Sequence, residues 1–242
     1  MLTAYDYATA LILDESGIDA ILVGDSCANV FAGESSTVFM SFSEMRYHVR
    51  IVSRAVKKAT LVADMPFMSH RSGSDTALRH AGILLQAGAD AVKLEGAGEV
   101  VGMVSRMVEL GIPVMGHLGL KPQSVRQSGG YKMYGKTDAE VDRLLADAKE
   151  LEEAGIFGIV LELIPPEVGR LVSEALTIPT IGIGAGPHTD GQILVVNDML
   201  GLTTGKVPKF ARKYTDLQES MSKAFRDYTA DVKAGKFPQS DG

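Results

Sequence analysis

Five neighbouring apolar runs of the 242-residue sequence end on side chains capable of acid–base or ligand chemistry. "AILVGDS" ends at Asp25 and Ser26, "LVADMP" carries Asp64, "AVKLEG" carries Lys93 and Glu95, "PVMGHLG" carries His117, and "IVLELIPP" carries Glu162. Gathered at one place, four carboxylates repel one another and force a pKa upward unless a cation intervenes. A divalent metal is the simplest remedy. Oxygen donors with no thiolate and at most one imidazole select hard Mg2+, or Mn2+, over zinc. Mg2+ usually takes one or two carboxylates and keeps several waters, which leaves the other carboxylates for supporting or base roles. Glu162 sits among apolar residues, where a charge is costly without a partner or a function. Lys93 raises the same question, although a register slip of one would turn it out of the site.

Each residue also has an ordinary reading. Asp25 and Asp64 suit turns or helix caps, Glu95 suits a pair with Lys93 or a backbone amide, and His117 suits a hydrogen-bonded structural role. Their succession across five runs favours a shared site. "GIGAG" at 182–186 fits either a tight turn or a phosphate loop. Cys27 reads as a small buried residue, and Met40, Met45, Met65 and Met68 read as core or wall. No Gly-x-Ser-x-Gly elbow, Walker loop, His-Glu-x-x-His or Cys-x-x-Cys occurs.

The elements that must position these residues alternate in period. Strands are expected at 2–5, 20–24, 60–64, 91–95, 113–117, 158–162 and 180–183, with a weaker eighth near 199–202. Helices are expected at 8–16, 43–57, 74–87, 100–110, 139–154 and 166–176, several closed by Gly17, Gly88, Gly111 or Gly155, with Ser43 and Thr137 at or near N-caps. This is the grammar of a single-domain α/β (β/α)8 TIM barrel, whose active site lies at the carboxyl ends of the strands. Residues 118–138 form the longest aperiodic stretch and read as a lid. The barrel is expected over 1–205, and 206–242 as a C-terminal helical extension packing on it or on a partner, with Leu217, Met221, Phe225 and Tyr228 on one helix face.

Composition narrows the function. With 24 basic and 30 acidic side chains the net charge is −6, and residues 206–242 hold 8 basic against 5 acidic, so the acidity lies in the body. Such a body suits a cation better than nucleic acid. A single cysteine excludes an internal disulfide and fits a reducing, cytoplasmic setting. No apolar run reaches the length of a membrane span, and no signal core follows Met1.

Eight ordered blocks carry a resemblance: "TAYDY" at 3–7, "ILVGDS" at 21–26, "ADMPFM" at 63–68, "AVKLEG" at 91–96, "GHLGLKPQS" at 116–124, "GGYKMYG" at 129–135, "VLELIP" at 160–165 and "IGIGAGPHTDGQILV" at 181–195. Together they resemble the ketopantoate hydroxymethyltransferase family of the phosphoenolpyruvate/pyruvate superfamily. The resemblance implies that Asp25 and Asp64 bind Mg2+, that Glu95 holds a metal-bound water, that Ser26 and Lys93 receive the substrate carboxylate, and that Glu162 is the base. It places His117 against the substrate in a supporting role. The implied reaction moves a hydroxymethyl group from 5,10-methylenetetrahydrofolate to 3-methyl-2-oxobutanoate through a Mg2+-stabilised enolate, giving 2-dehydropantoate and tetrahydrofolate in pantothenate synthesis. The implied assembly is a homodecamer, a pentamer of dimers. Family members carry a further segment before "TAYDY", so a trimmed start and a differently capped barrel bottom both stay open. Two other readings also stay open: a Mg2+-dependent 2-oxo-acid lyase or mutase, and an inactive binding barrel.

Overall fold

Strand and helix alternate as the periods require. The computed structural model describes residues 1–125, 130, 132–205 and 207–238, which fall into two compact units, 1–195 and 196–242. The first unit runs β1 (Leu2–Thr3), α1 (Tyr7–Glu15), β2 (Ala20–Val23), a four-residue α2 (Cys27–Val30), α3 (Phe42–Ala55), β3 (Thr60–Asp64), α4 (Ser74–Gln86) and β4 (Ala91–Lys93). It continues through α5 (Glu99–Glu109), β5 (Val114–Gly119), α6 (Asp138–Glu153), β6 (Gly158–Glu162), α7 (Pro166–Ala175), β7 (Thr180–Ile183) and β8 (Gly191–Gln192). All eight strands are parallel and pair in sequence order. The Thr3 N–H donates to the Leu194 carbonyl at 3.2 Å, and Leu2 bridges Leu194, which joins the first strand to the segment after the last. These are the pairings of the expected barrel.

The interior is one apolar layer, with Leu22, Val62, Ala91, Met115, Val160 and Ile193 packed together. Burying such side chains supplies the main favourable term, roughly 1.5–3 kcal/mol for each large aliphatic. Local signals fix the helix ends. Thr137 caps α6 in a capping box with Glu140. The cap of α3 is Ser41, whose box partner is Glu44, while the expected Ser43 lies inside the first turn. Gly17, Gly88, Gly111 and Gly155 all have positive φ, as helix C-caps require. Asp14 of α1 accepts the backbone N–H groups of Lys57, Lys58 and Ala59 at 2.9–3.0 Å, tying the approach to β3 onto the outer helices.

One strand expectation is corrected. The eighth strand is Gly191–Gln192, and Met199–Leu202 falls in α8 (Val196–Leu200) and the turn after it. The apolar run that closes the barrel is the one holding Ile193 and Leu194, and Ile193 N–H donates to Gly182 at 2.9 Å. Residues 199–202 belong instead to a turn in which Thr203 Oγ1 donates to Asp198 Oδ1 at 2.5 Å.

In the second unit, α9 (Leu217–Lys233) is capped by Asp216, whose carboxylate accepts from Glu219 N–H at 3.1 Å. Met221, Phe225, Tyr228 and Val232 on this helix are exposed. The expected lid at 118–138 includes residues 126–129 and 131, which lie outside the described residues. Among the described residues no helix is long and apolar enough to cross a membrane.

Candidate active site

Side chains two apart on a strand share a face, so the interior layer dictates what stands above it. Stepping two residues toward the carboxyl end leads from Val62 to Asp64, from Ala91 to Lys93 and then Glu95, from Met115 to His117, and from Val160 to Glu162. Asp25 and Ser26 follow β2 at the turn into α2. All seven expected residues line one cavity of about 100 Å³ inside the strand ends, so the alternative register for Lys93 is excluded. Asp25, Asp64, Lys93, Glu95 and His117 are almost fully buried.

Lys93 is the hub. Its Nζ lies 2.6 Å from Asp64 Oδ1 and 3.2 Å from His117 Nδ1. Burial opposes the Lys93 charge, but Asp64, Glu95 and Asp25 outweigh it and raise the pKa above the usual lysine range. His117 moves the other way: burial, with Lys93 beside it, holds its pKa well below the ordinary value. The ring is therefore neutral. An ammonium can only donate, so Nδ1 accepts from Lys93 and Nε2 carries the proton. Nε2 faces Glu162 Oε2 at 3.3 Å without the alignment of a full hydrogen bond, which leaves that carboxylate available.

The carboxylates behave as a crowded set with too few cations. Burial, then the neighbouring Asp64, pushes Asp25 up to about 7. Burial raises Glu95 well above its ordinary value, with Asp25 next in effect. Burial raises Glu162 to about 8, partly offset by Lys93. Asp64 Oδ2 accepts the Asp25 backbone N–H at 3.1 Å, locking the end of β3 to the β2 turn.

Two residues that spacing did not reveal complete the arrangement. Gln123, buried in a short 3-10 turn at Pro122–Ser124, donates from Nε2 to Asp25 Oδ2 and to the Met65 carbonyl, both at 3.0 Å. Its backbone N–H donates to Glu95 Oε2 at 3.2 Å, so one residue holds two site carboxylates. Tyr5 Oη lies 2.8 Å from Ser26 Oγ and orients that hydroxyl. Gln123 falls within the "GHLGLKPQS" block and a long stretch without a period, but no spacing marked it as a site residue. The apolar wall is made by Leu22, Val160, Ile183 and Ile193.

The weaker candidates resolve structurally. A Cβ at Gly186, which has φ +81°, would lie 2.5 Å from Pro166 Cβ, so the turn reading accounts for that glycine of "GIGAG", while Gly182 lies in β7, where a Cβ would meet Thr189 Oγ1 at 2.6 Å. Cys27 is buried, which pushes its thiol up to about 12 and makes it inert. Met40, Met45 and Met65 are buried, but Met68 is 45% exposed at φ 64° and does not belong to the core. The turn after β3 carries it outward.

A profile of the ketopantoate hydroxymethyltransferase family matches residues 1–240. The 3-methyl-2-oxobutanoate hydroxymethyltransferase of Chlorobaculum tepidum is 52% identical, with the alignment covering 100% of this chain and 89% of that protein. The enzyme of the same name from Pyrobaculum aerophilum is 49% identical, covering 99% of this chain and 91% of the relative. Among solved structures, a phosphonopyruvate hydrolase superposes with a TM-score of 0.64 at 12% identity, covering 99% of this chain and 84% of its own. A 2,3-dimethylmalate lyase of the PEP mutase/isocitrate lyase superfamily gives 0.61 at 17% identity, again over 99% and 84%. Identity that low carries the barrel and not a reaction. The sequence match is of another order, running from the first strand through the last helix and across every strand end that feeds the cavity: this chain belongs to the ketopantoate hydroxymethyltransferase family.

Proposed function

We propose that the chain transfers a hydroxymethyl group from 5,10-methylenetetrahydrofolate to 3-methyl-2-oxobutanoate, giving 2-dehydropantoate and tetrahydrofolate. The observation that carries this reading is Glu162, a mostly buried carboxylate pushed up to about 8, 3.3 Å from the neutral His117 ring and facing a lysine and acidic cluster across an apolar-walled cavity. The walls of Leu22, Val160, Ile183 and Ile193 suit a branched aliphatic group and exclude water from it.

The donors fit Mg2+. Among the described residues no three His, Cys, Asp or Glu side chains stand as a ready cage, but Mg2+ needs only one or two carboxylates and keeps its waters. Buried oxygen donors whose pKa values are raised by crowding are a set that lacks positive charge. Asp25 and Asp64 would hold the ion and Glu95 a water on it. When bound, Mg2+ would polarise the 2-oxo group and offset the charge that develops on its oxygen.

The chain's own residues do the rest. Lys93 Nζ and the Tyr5-oriented Ser26 hydroxyl receive the substrate carboxylate. Glu162 takes the C3 proton, with neutral His117 keeping Nε2–H toward the base. C3 then bonds to the methylene carbon as its two bonds to nitrogen break, water gives that carbon its hydroxyl, and the proton taken from C3 and the second proton of the water go to the two freed nitrogens. Proton NMR in D2O with Mg2+, 3-methyl-2-oxobutanoate and the folate tests the reading: C3–H loss together with a new hydroxymethyl signal is expected. Exchange without product would mean that the enolising site is right and the electrophile wrong. No exchange would overturn both.

Two measurements refine it. Because Glu162 must be ionised to act, C3 exchange should rise along an acid limb centred at or below about 8, since an added cation favours the carboxylate. A rate that is flat from pH 4 to 9 would remove Glu162 as the titrating group. For Gln123→Leu, which keeps volume but removes the donor to Asp25, exchange should slow by roughly tenfold or more, the worth of one hydrogen bond to a charged group. An unchanged rate would show that Asp25 needs no such support.

The family reading further supports a cytoplasmic homodecamer built as a pentamer of dimers. The exposed apolar residues of α9 are a surface that association would cover. A monomer in light scattering would overturn the assembly.

A further inference from the structure

A second cavity, of about 340 Å³, adjoins the first. Two pairs of consecutive residues divide between them: Glu95 and Pro122 line the carboxylate cavity, while Gly96 and Lys121 line the second. The wall between is therefore one layer of backbone at two points. Glu95 shows the partition best, because its side chain enters the first cavity while its carbonyl accepts from Arg71 Nη2 at 3.3 Å.

The second cavity is built for an anion. The N-termini of α4 and α5 reach its wall at Gly73–Ser74 and Glu99–Val100, and neither helix has a side-chain cap. Arg71 and Lys121 add two cations, and a Cβ at Gly96 would have Arg71 Nη2 at 3.5 Å and Lys121 Cδ at 3.9 Å, so both reach the same point. His70, also in the wall, is 2% exposed. Arg71 Nε–H donates to His70 Nε2 at 3.3 Å, which puts the ring proton on Nδ1. The opposing charge in the lining is Glu99, which is exposed. Met103 and Val100 give the cavity an apolar side.

We propose that this second cavity binds the glutamyl carboxylates of the folate co-substrate through Arg71 and Lys121. The inference rests on the proposed transfer reaction. In a folate the reactive methylene and the carboxylates stand at opposite ends of an aminobenzoyl ring. A thin partition between an enolising site and a cationic cavity suits that separation, and Met103 and Val100 offer the ring an apolar contact. Neither cation lines the carboxylate cavity, so their main effect should fall on one substrate.

The test compares wild type with Arg71→Ala, Lys121→Ala and Arg71→Lys by calorimetric titration with tetrahydrofolate and with tetrahydropteroate, which lacks the glutamate. Each alanine variant should weaken tetrahydrofolate by about tenfold, the order expected for one charged hydrogen bond. Tetrahydropteroate binding and folate-free C3 exchange should stay within about twofold, the latter showing that the variants fold, and Arg71→Lys should recover part of the loss. If both ligands weaken equally, or neither does, the assignment is overturned. If inorganic phosphate binds and is lost in the variants while tetrahydrofolate is unaffected, the cavity is a phosphate site and the proposal fails. Wild type that binds no tetrahydrofolate would instead overturn the transfer reaction itself.

Discussion

Glu162→Gln should abolish C3 proton exchange while leaving the oxo acid bound. The amide keeps the shape and volume of the carboxylate but cannot accept a proton at neutral pH. A positioned general base contributes on the order of 10²–10⁴-fold, and exchange should fall by that factor. Binding should survive because the groups assigned to the substrate carboxylate, Lys93 Nζ and Ser26 Oγ, take their positions from Asp64 and Tyr5 and not from Glu162. The cavity also keeps its walls. Removing one of four carboxylates lowers repulsion, so Mg2+ affinity should change by only a few-fold. Exchange followed by NMR in D2O without folate isolates this step from group transfer, and calorimetry reads the binding. Exchange within tenfold of wild type would assign the base elsewhere, and loss of oxo-acid binding would make Glu162 a binding group.

The strand ends were legible because alternation is rigid. Once Val62, Ala91, Met115 and Val160 face the interior, Asp64, Lys93, His117 and Glu162 must face it too, two residues on. Lys93 and Glu162 also announced themselves as charges inside apolar runs. Gln123 left no such mark. It enters from an aperiodic segment, and its reach to Asp25 depends on how the chain after β5 turns back, which no local pattern encodes. The eighth strand failed for a related reason. Its ladder is two residues long, so the period-2 signal that identifies a strand has no length over which to repeat. Met68 was misplaced because sequence shows that a methionine is apolar but not that its backbone sits at φ 64° on an outward turn.

Asp64→Asn should remove most of the stabilisation that Mg2+ gives, with little loss of stability in the cation-free chain. Two effects oppose each other in that substitution. Lys93 loses the carboxylate 2.6 Å from its ammonium, and breaking a buried pair ordinarily destabilises strongly. Here, however, Asp25, Glu95 and Glu162 remain to hold the Lys93 charge, and Asp64 itself raises the pKa of all three. Its neutralisation relieves that repulsion, so the cation-free Tm should move by no more than a few degrees. The Mg2+ response has no such compensation, because half of the proposed ligand pair is gone. A ligand at a hundred times its Kd stabilises by about 2.7 kcal/mol, and ~1 kcal/mol moves Tm by about 2–4 °C in a chain of this size. Wild type should therefore gain roughly 5–10 °C from such a Mg2+ concentration, and Asp64→Asn only a small part of it. The gain should also grow with pH. Asp25 and Glu162 are held in the fold at about 7 and about 8, above their ordinary 3.8 and 4.5. Carboxylates raised in this way lend stability that is complete below the unfolded value and is lost as pH rises through the folded one. The cation-free fold is thus weaker at pH 8 than at pH 6, and a cation that favours the ionised carboxylates recovers more at pH 8. Equal Mg2+ shifts in wild type and Asp64→Asn would remove Asp64 from the ligand set, and a shift that does not grow with pH would show that the crowded carboxylates are not what the cation relieves.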